Sequence, residues 1–117
     1  MVKTKEILIG AREILEDPNR WNRNGQYVVD RNDHCVPPWS SEAAKFCVMG
    51  AIKKSSYDLG YRSFDAEDKA REVIYAANPI ISKDVSLITF NDQIAEHEQI
   101  LELFDNAIKH MDAKEVA

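Results

Sequence analysis

Three side chains suited to acid–base or nucleophilic chemistry fall on patterned stretches of the sequence: His97, Cys47 and Asp92. Ile94, His97, Leu101, Phe104, Ile108 and Met111 step by three and four, which lines one face of a helix and puts an imidazole where a sixth hydrophobe is expected. A half-sheltered imidazole can serve as a base or a metal ligand. The same position suits a core histidine hydrogen-bonded to a carbonyl, since buried polar groups are nearly always satisfied. Cys47 lies among alanines, where a thiol behaves as a small hydrophobe. The spacing places it two turns inside a helix, away from the exposed N-terminal position that activates nucleophilic thiols. Asp92 follows Asn91, and the pair either caps a helix or presents a polar face to a ligand.

The familiar catalytic and metal patterns are missing. The four glycines, at 10, 25, 50 and 60, are isolated, so there is no phosphate-cradling loop, and no CxxC pair or nucleophile elbow occurs. His97-Glu98-Gln99-Ile100-Leu101 begins like the zinc-protease HExxH, but Leu101 stands where the second histidine must be. His34, Cys35, Cys47 and His97 supply the donor count for zinc without the spacing of a compact motif. The expectation is no metal and no cofactor. Trp21, Tyr27 and Trp39, with Asn91, are the candidate binding residues: exposed, the aromatics would anchor a partner, and buried, they would lid the helices.

The elements that must position these residues are mostly helical. Thr4 to Glu16 reads as a first helix capped by Thr4, with Ile7, Leu8, Ala11, Ile14 and Leu15 inward and Asp17-Pro18 as its stop. Asn24-Gly25 between aromatic and β-branched residues suits a type I′ hairpin turn. Ser40 to about Tyr57 reads as a second helix capped by Ser40, with small residues Ala43, Ala44, Cys47, Gly50 and Ala51 forming a groove. Gly50 there implies the close approach of a backbone or of a ring such as Trp39 or Trp21. Asp65 caps a third helix, Ala66 to Ala77. Residues 80–90 suit either a short helical turn capped by Ser82, the favoured reading, or an extended piece. The last helix runs from Gln93 to about Met111 as the spine of the fold, capped by Thr89, Asn91 or Asp92. The fold class is therefore mostly α: one compact domain, 1–117, of four to five helices with a small β-hairpin between the first two, frayed at 1–3 and 113–117.

At 117 residues, the chain can bury a core without disulfide or metal staples. Twenty acidic against fifteen basic side chains give a net charge of −5, which argues against electrostatic binding of duplex nucleic acid. The excess keeps a protein soluble, and it also suits a basic partner protein. No run is long enough to cross a bilayer, and the first ten residues do not read as a signal peptide. A cytoplasmic protein with reduced thiols is expected.

Ala44-x-Phe46-Cys47-x-x-Gly50-Ala51-Ile52, preceded by Trp21 and Gly25, is followed by Phe90-Asn91-Asp92 and by Ile100-Leu101-x-Leu103-Phe104-Asp105-x-Ala107-Ile108. These blocks resemble a family of small bacterial and phage proteins of unknown function, with Phe46 where tryptophan is common. The resemblance spans about Trp21 to Ile108 and brings no activity. It implies that Cys47, Gly50, Asn91 and Asp92 belong to one shared plan, a fold signature or a site. The functional expectation is a protein-interaction module, of the kind a phage or mobile element carries as an accessory protein that binds a host protein. Its alternative is a small-ligand binder or enzyme with a pocket around His97, Asp92 and Cys47.

Overall fold

The computed structural model describes residues 2–82 and 85–116, the side chains of 115 and 116 excepted. Helix α1 (Thr4–Leu15) buries Ile7, Leu8, Ala11 and Leu15 completely along one stripe. Thr4 is its first helical residue rather than its cap; Lys3 holds the cap position without a side-chain bond. Asp17 ends the helix and starts a 3-10 turn, Pro18–Arg20, accepting the Asn19 amide at 2.9 Å.

The chain does turn at Asn24-Gly25, with Gly25 at φ +84°, but the arms of that turn do not pair with each other. Strand β1 (Val28–Val29) pairs antiparallel with β2 (Lys45–Phe46), Val28 opposite Phe46 and Val29 opposite Lys45. Trp21 bridges Phe46 from the other side, in parallel. The expected small antiparallel pair between the first two helices is present as β1 with β2, but Asn24-Gly25 does not close it: the two arms of that turn admit Phe46 between them. A lone ribbon closed at Asn24-Gly25 would be marginal, whereas this arrangement buries the Phe46 ring fully. Asn22 seals it: its amide donates to the Phe46 carbonyl at 2.9 Å and its Nδ2 to the Gln26 carbonyl at 2.7 Å.

Helix α2 (Val48–Asp58) begins at Val48, well after the expected Ser40 cap. The Ala44 amide donates to Val29 O and the Cys47 amide to Tyr27 O, so this stretch belongs to the sheet despite its helix-favouring alanines. Ser40 caps only a local turn, its Oγ accepting the Glu42 amide at 3.1 Å. Cys47 is the true N-cap, its Sγ accepting the Gly50 amide at 3.3 Å. Gly50 is required because a Cβ there would overlap the Tyr27 carbonyl. A backbone, not a ring, is what approaches. Ser55, one turn from the end of α2, donates to the Ile7 carbonyl at 2.8 Å and packs where Gly10 leaves room on α1.

Helix α3 (Phe64–Ala77) starts one turn's edge earlier than expected, behind Ser63, with Asp65 and Glu67 in its first turn where they suit the dipole. Its buried face is Ala66, Ala70 and Ile74. Asn78 closes it and reaches α5: Nδ2 donates to Ile74 O at 2.8 Å and Leu103 O at 3.0 Å, while Oδ1 accepts from Asn106 at 2.9 Å. The short turn expected near 80–90 is present as α4 (Leu87–Thr89), capped by Ser86 rather than Ser82.

Helix α5 (His97–Val116) begins four residues later than expected. A π-helical turn, Phe90–Ile94, and an extended Ala95 precede it, with the Ala95 amide donating to Phe90 O at 2.9 Å. This break throws Ile94 out of register, and it is 49% exposed. The buried stripe of α5 is Ile100, Leu103, Phe104 and Ala107, with Leu101, Ile108 and Met111 half-buried at its edge. The helix continues through Val116, past the point where fraying was expected; Met1 and Ala117 lie outside the described residues. Helix α1, which packs against α2, α3 and α5, shares the role of spine. Arg12 to Asp105 (2.6 Å) and Lys5 to Asp112 (2.5 Å) clamp α1 along α5.

Candidate functional site

Two regions collect the residues of interest. The first is a polar hub around Asn91, which is 1% exposed. Its Oδ1 accepts from Trp21 Nε1 at 2.8 Å and from the Val48 amide at 3.1 Å. Its Nδ2 donates to Asn22 O at 2.9 Å and Asp92 Oδ1 at 2.8 Å. One carboxamide thus uses both lone pairs and both protons. Asn91 caps a helix, as one reading of the sequence had it, but the helix is α2, not the one that follows it in the chain. The start of α5 is instead served by Gln99, whose Oε1 accepts the Glu96 amide at 2.8 Å, half of a capping box.

Cys47 and His97 flank this hub. Cys47 stands at a helix N-terminus after all, yet burial pushes its thiol up to about 11, against 9.0 for an ordinary thiol, and the Asp92 charge adds to the rise. Hydrogen bonds from the Gly50 and Met49 amides pull the other way and do not prevail. A thiol in that state is not a nucleophile at neutral pH. His97 holds its Nε2 2.6 Å from the Leu15 carbonyl, closing the end of α1, and its ring lies 5.8 Å from that of Trp21. Cys47, Asp92 and His97 are neighbours through this packing, and none of them lines either of the two clefts described next. Cys35 is exposed on the 30–44 connection while Cys47 is buried. Among the described residues, no three His, Cys, Asp or Glu side chains stand close enough to hold a metal ion.

The second region is a cleft of about 490 Å³ between α2, the start of α3 and the 30–44 connection. That volume lies in the range of ligand and peptide-anchor pockets. Trp39 stacks on Tyr57, ring centroids 5.4 Å apart and planes at 29°. Tyr27, Tyr61, Phe64 and Pro38 complete an apolar lining. Trp39 is 59% and Phe64 72% exposed. Lys53 lies between the Tyr27 and Phe64 rings, 5.2 and 5.4 Å from their centroids, and pairs with Glu67 at 2.6 Å. Arg62 stacks on Tyr57 at 3.9 Å. A second cleft, of about 480 Å³, is polar and lined by Arg20, Asp30, Arg31 and Glu42 among others. On its edge Asp30 accepts the amides of His34 and Asn32, at 3.0 and 2.8 Å, which holds its carboxyl below the usual range.

A model of one protein family matches residues 1–110. The chain belongs to DUF6197, a family of unknown function. No curated protein and no solved structure matches this DUF6197 chain. Two of the blocks quoted for the resemblance meet in its fold: Cys47 and Gly50 at the start of α2, Asn91 bonded to Val48 there, and Asp92 beside Asn91.

Of the four binding candidates, the structure brings Tyr27 and Trp39 to the aromatic cleft and sends Trp21 and Asn91 to the hub. The cleft residues that sequence reasoning missed are Lys53, Tyr57, Tyr61, Arg62, Phe64 and Glu67. Their signal was present: three aromatics fall within Tyr57–Phe64, around the helix stop at Gly60.

Proposed function

We propose that this DUF6197 chain is a small protein-interaction module, and that the aromatic cleft receives a short, extended, proline- and aromatic-bearing segment of another protein. The observation that carries this reading is the exposed Trp39 ring stacked on half-buried Tyr57, with exposed Phe64 and Tyr27 lining the same cleft. Monomeric proteins rarely leave such rings in water unless the patch engages a partner. Trp and Tyr are also the commonest anchors of protein interfaces. An aromatic-lined groove suits the polyproline II conformation, because that backbone is already extended and loses little entropy on docking. The sequence resemblance implies a bacterial or phage origin; the acidic balance favours a host protein as partner, and the absence of a recognisable signal in the first ten residues favours a cytoplasmic setting.

The test is a titration of ¹⁵N-labelled protein with an N-acetylated, C-amidated octapeptide of prolines around one tryptophan. Shifts clustered at Tyr27, Trp39, Lys53 and Tyr57–Phe64, and lost in Trp39→Ala, are the expected result. No shift at millimolar peptide, or shifts elsewhere that Trp39→Ala leaves unchanged, would overturn the reading.

A further inference from the structure

The two cations of the aromatic cleft are not equivalent. Lys53 is neutralised by Glu67 at 2.6 Å, and both side chains are largely sheltered, at 21% and 15% exposure. Arg62 has no carboxylate partner among the described residues. Its Nη1 donates to the carbonyls of Tyr57 at 2.9 Å and Tyr61 at 3.0 Å, and its Cζ lies over the Tyr57 ring, 3.9 Å from the centroid. Those contacts fix the guanidinium while leaving Nη2 and Nε without a partner among the described residues. A planar, immobilised guanidinium with two free donors matches a carboxylate better than any neutral group.

The ladder Trp39–Tyr57–Arg62 thus places a ring-binding surface and an anion-binding fork in one continuous stack. From this we infer, resting on the peptide-binding reading above, that the partner segment carries an aspartate or glutamate side chain next to its apolar anchor, and that Arg62 reads it. The net charge of −5 sharpens the inference. A long acidic run would be repelled by the rest of the surface, so the segment bears one carboxylate, or two, against an otherwise apolar stretch. A side-chain carboxylate suits the geometry because Arg62 is exposed in the same cleft as the exposed Trp39 and Phe64 rings, so a residue next to the apolar anchor can reach it.

The experiment uses a panel of acetylated, amidated octapeptides of prolines and one tryptophan, with a glutamate moved through each remaining position. Glutamine twins are measured beside them, together with glutamine peptides bearing a free C-terminal carboxylate. At least one glutamate peptide is expected to bind about tenfold more tightly than its twin, as a charge-assisted hydrogen bond supplies. That difference should collapse in Arg62→Gln, shrink in Arg62→Lys, and fall as sodium chloride rises from about 50 to 500 mM. Circular dichroism of both variants checks that the fold is intact; Arg62 is exposed, and its loss leaves the core untouched. Equal binding of every glutamate peptide and its twin would overturn the inference while the cleft reading stands. A preference only for the free C-terminus would overturn it as well, in favour of chain-end capture. No binding by any peptide would remove the cleft reading and this inference with it.

Discussion

Replacing Asn91 by alanine should cost this fold more than any exposed substitution. The carboxamide answers Trp21 Nε1, the Val48 amide, Asn22 O and Asp92. Without it, the Val48 amide and the Asn22 carbonyl are left buried and unpaired. Each such orphan costs about 1–3 kcal/mol, so the pair costs about 4 kcal/mol. The indole N–H adds about 1 kcal/mol at most, since Trp21 is only half-buried and water can reach it. A domain of this size has a total stability of about 5–15 kcal/mol, and the loss should lower its melting temperature by roughly 15 °C. Urea denaturation followed by circular dichroism gives the free energy directly. Trp21→Phe, which breaks one of the four bonds, should cost about 1 kcal/mol in the same assay. Asn91→Asp keeps both acceptors, loses the donors and sets a second carboxylate beside Asp92; it should fall between the two. If Asn91→Ala cost no more than Trp21→Phe, water would have to enter and replace the carboxamide, and the sealed hub argued here would be wrong.

Gly50→Ala tests the strand-over-helix crossing. Helix propensity alone favours alanine by about 1 kcal/mol, but its Cβ would overlap the Tyr27 carbonyl. A net destabilisation of about 2 kcal/mol or more in urea is therefore expected, and a stabilised variant would show the crossing to be looser than described. Cys47 and Cys35 should separate in thiol titration: with Ellman's reagent, one thiol reacts in the native protein and two react in denaturant. The Cys47 thiol is raised in the folded state, so its contribution to stability is whole below the ordinary value of 9.0 and is lost as the pH climbs toward about 11. That interval corresponds to about 3 kcal/mol. Cys47→Ala should flatten the alkaline loss measured by urea midpoints between pH 8 and 11, and an unchanged slope would refute the assignment.

The stripes of α1 and α3 were legible because their apolar residues recur at helical spacing with no competing partner. Helix α5 was legible only in part. Ile94 and His97 keep perfect period with Leu101, yet the π-helical turn and the extended Ala95 separate Ile94 from the helix that period describes. Lys45 and Phe46 were misread for a different reason: local propensity favoured helix, and pairing with Val28 and Val29 overrode it. The same override moved Cys47 from a helix interior to a cap. Asn91 was recognisable as a capping residue, but its target lies 43 positions away, beyond any local signal. Tyr27 and Trp39 could be nominated by type. Their union with Tyr57 and Phe64 depends on where the 30–44 connection lies, which periodicity does not encode.

The hub also imposes an order on synthesis. A ribosome delivers Trp21, Asn22 and Val48 70, 69 and 43 positions before the carboxamide that joins them. Until then the indole, the Asn22 carbonyl and the first amide of α2 have only water to bond. The nascent chain up to residue 90 is accordingly an unlatched half, and the arrival of a single asparagine shuts it.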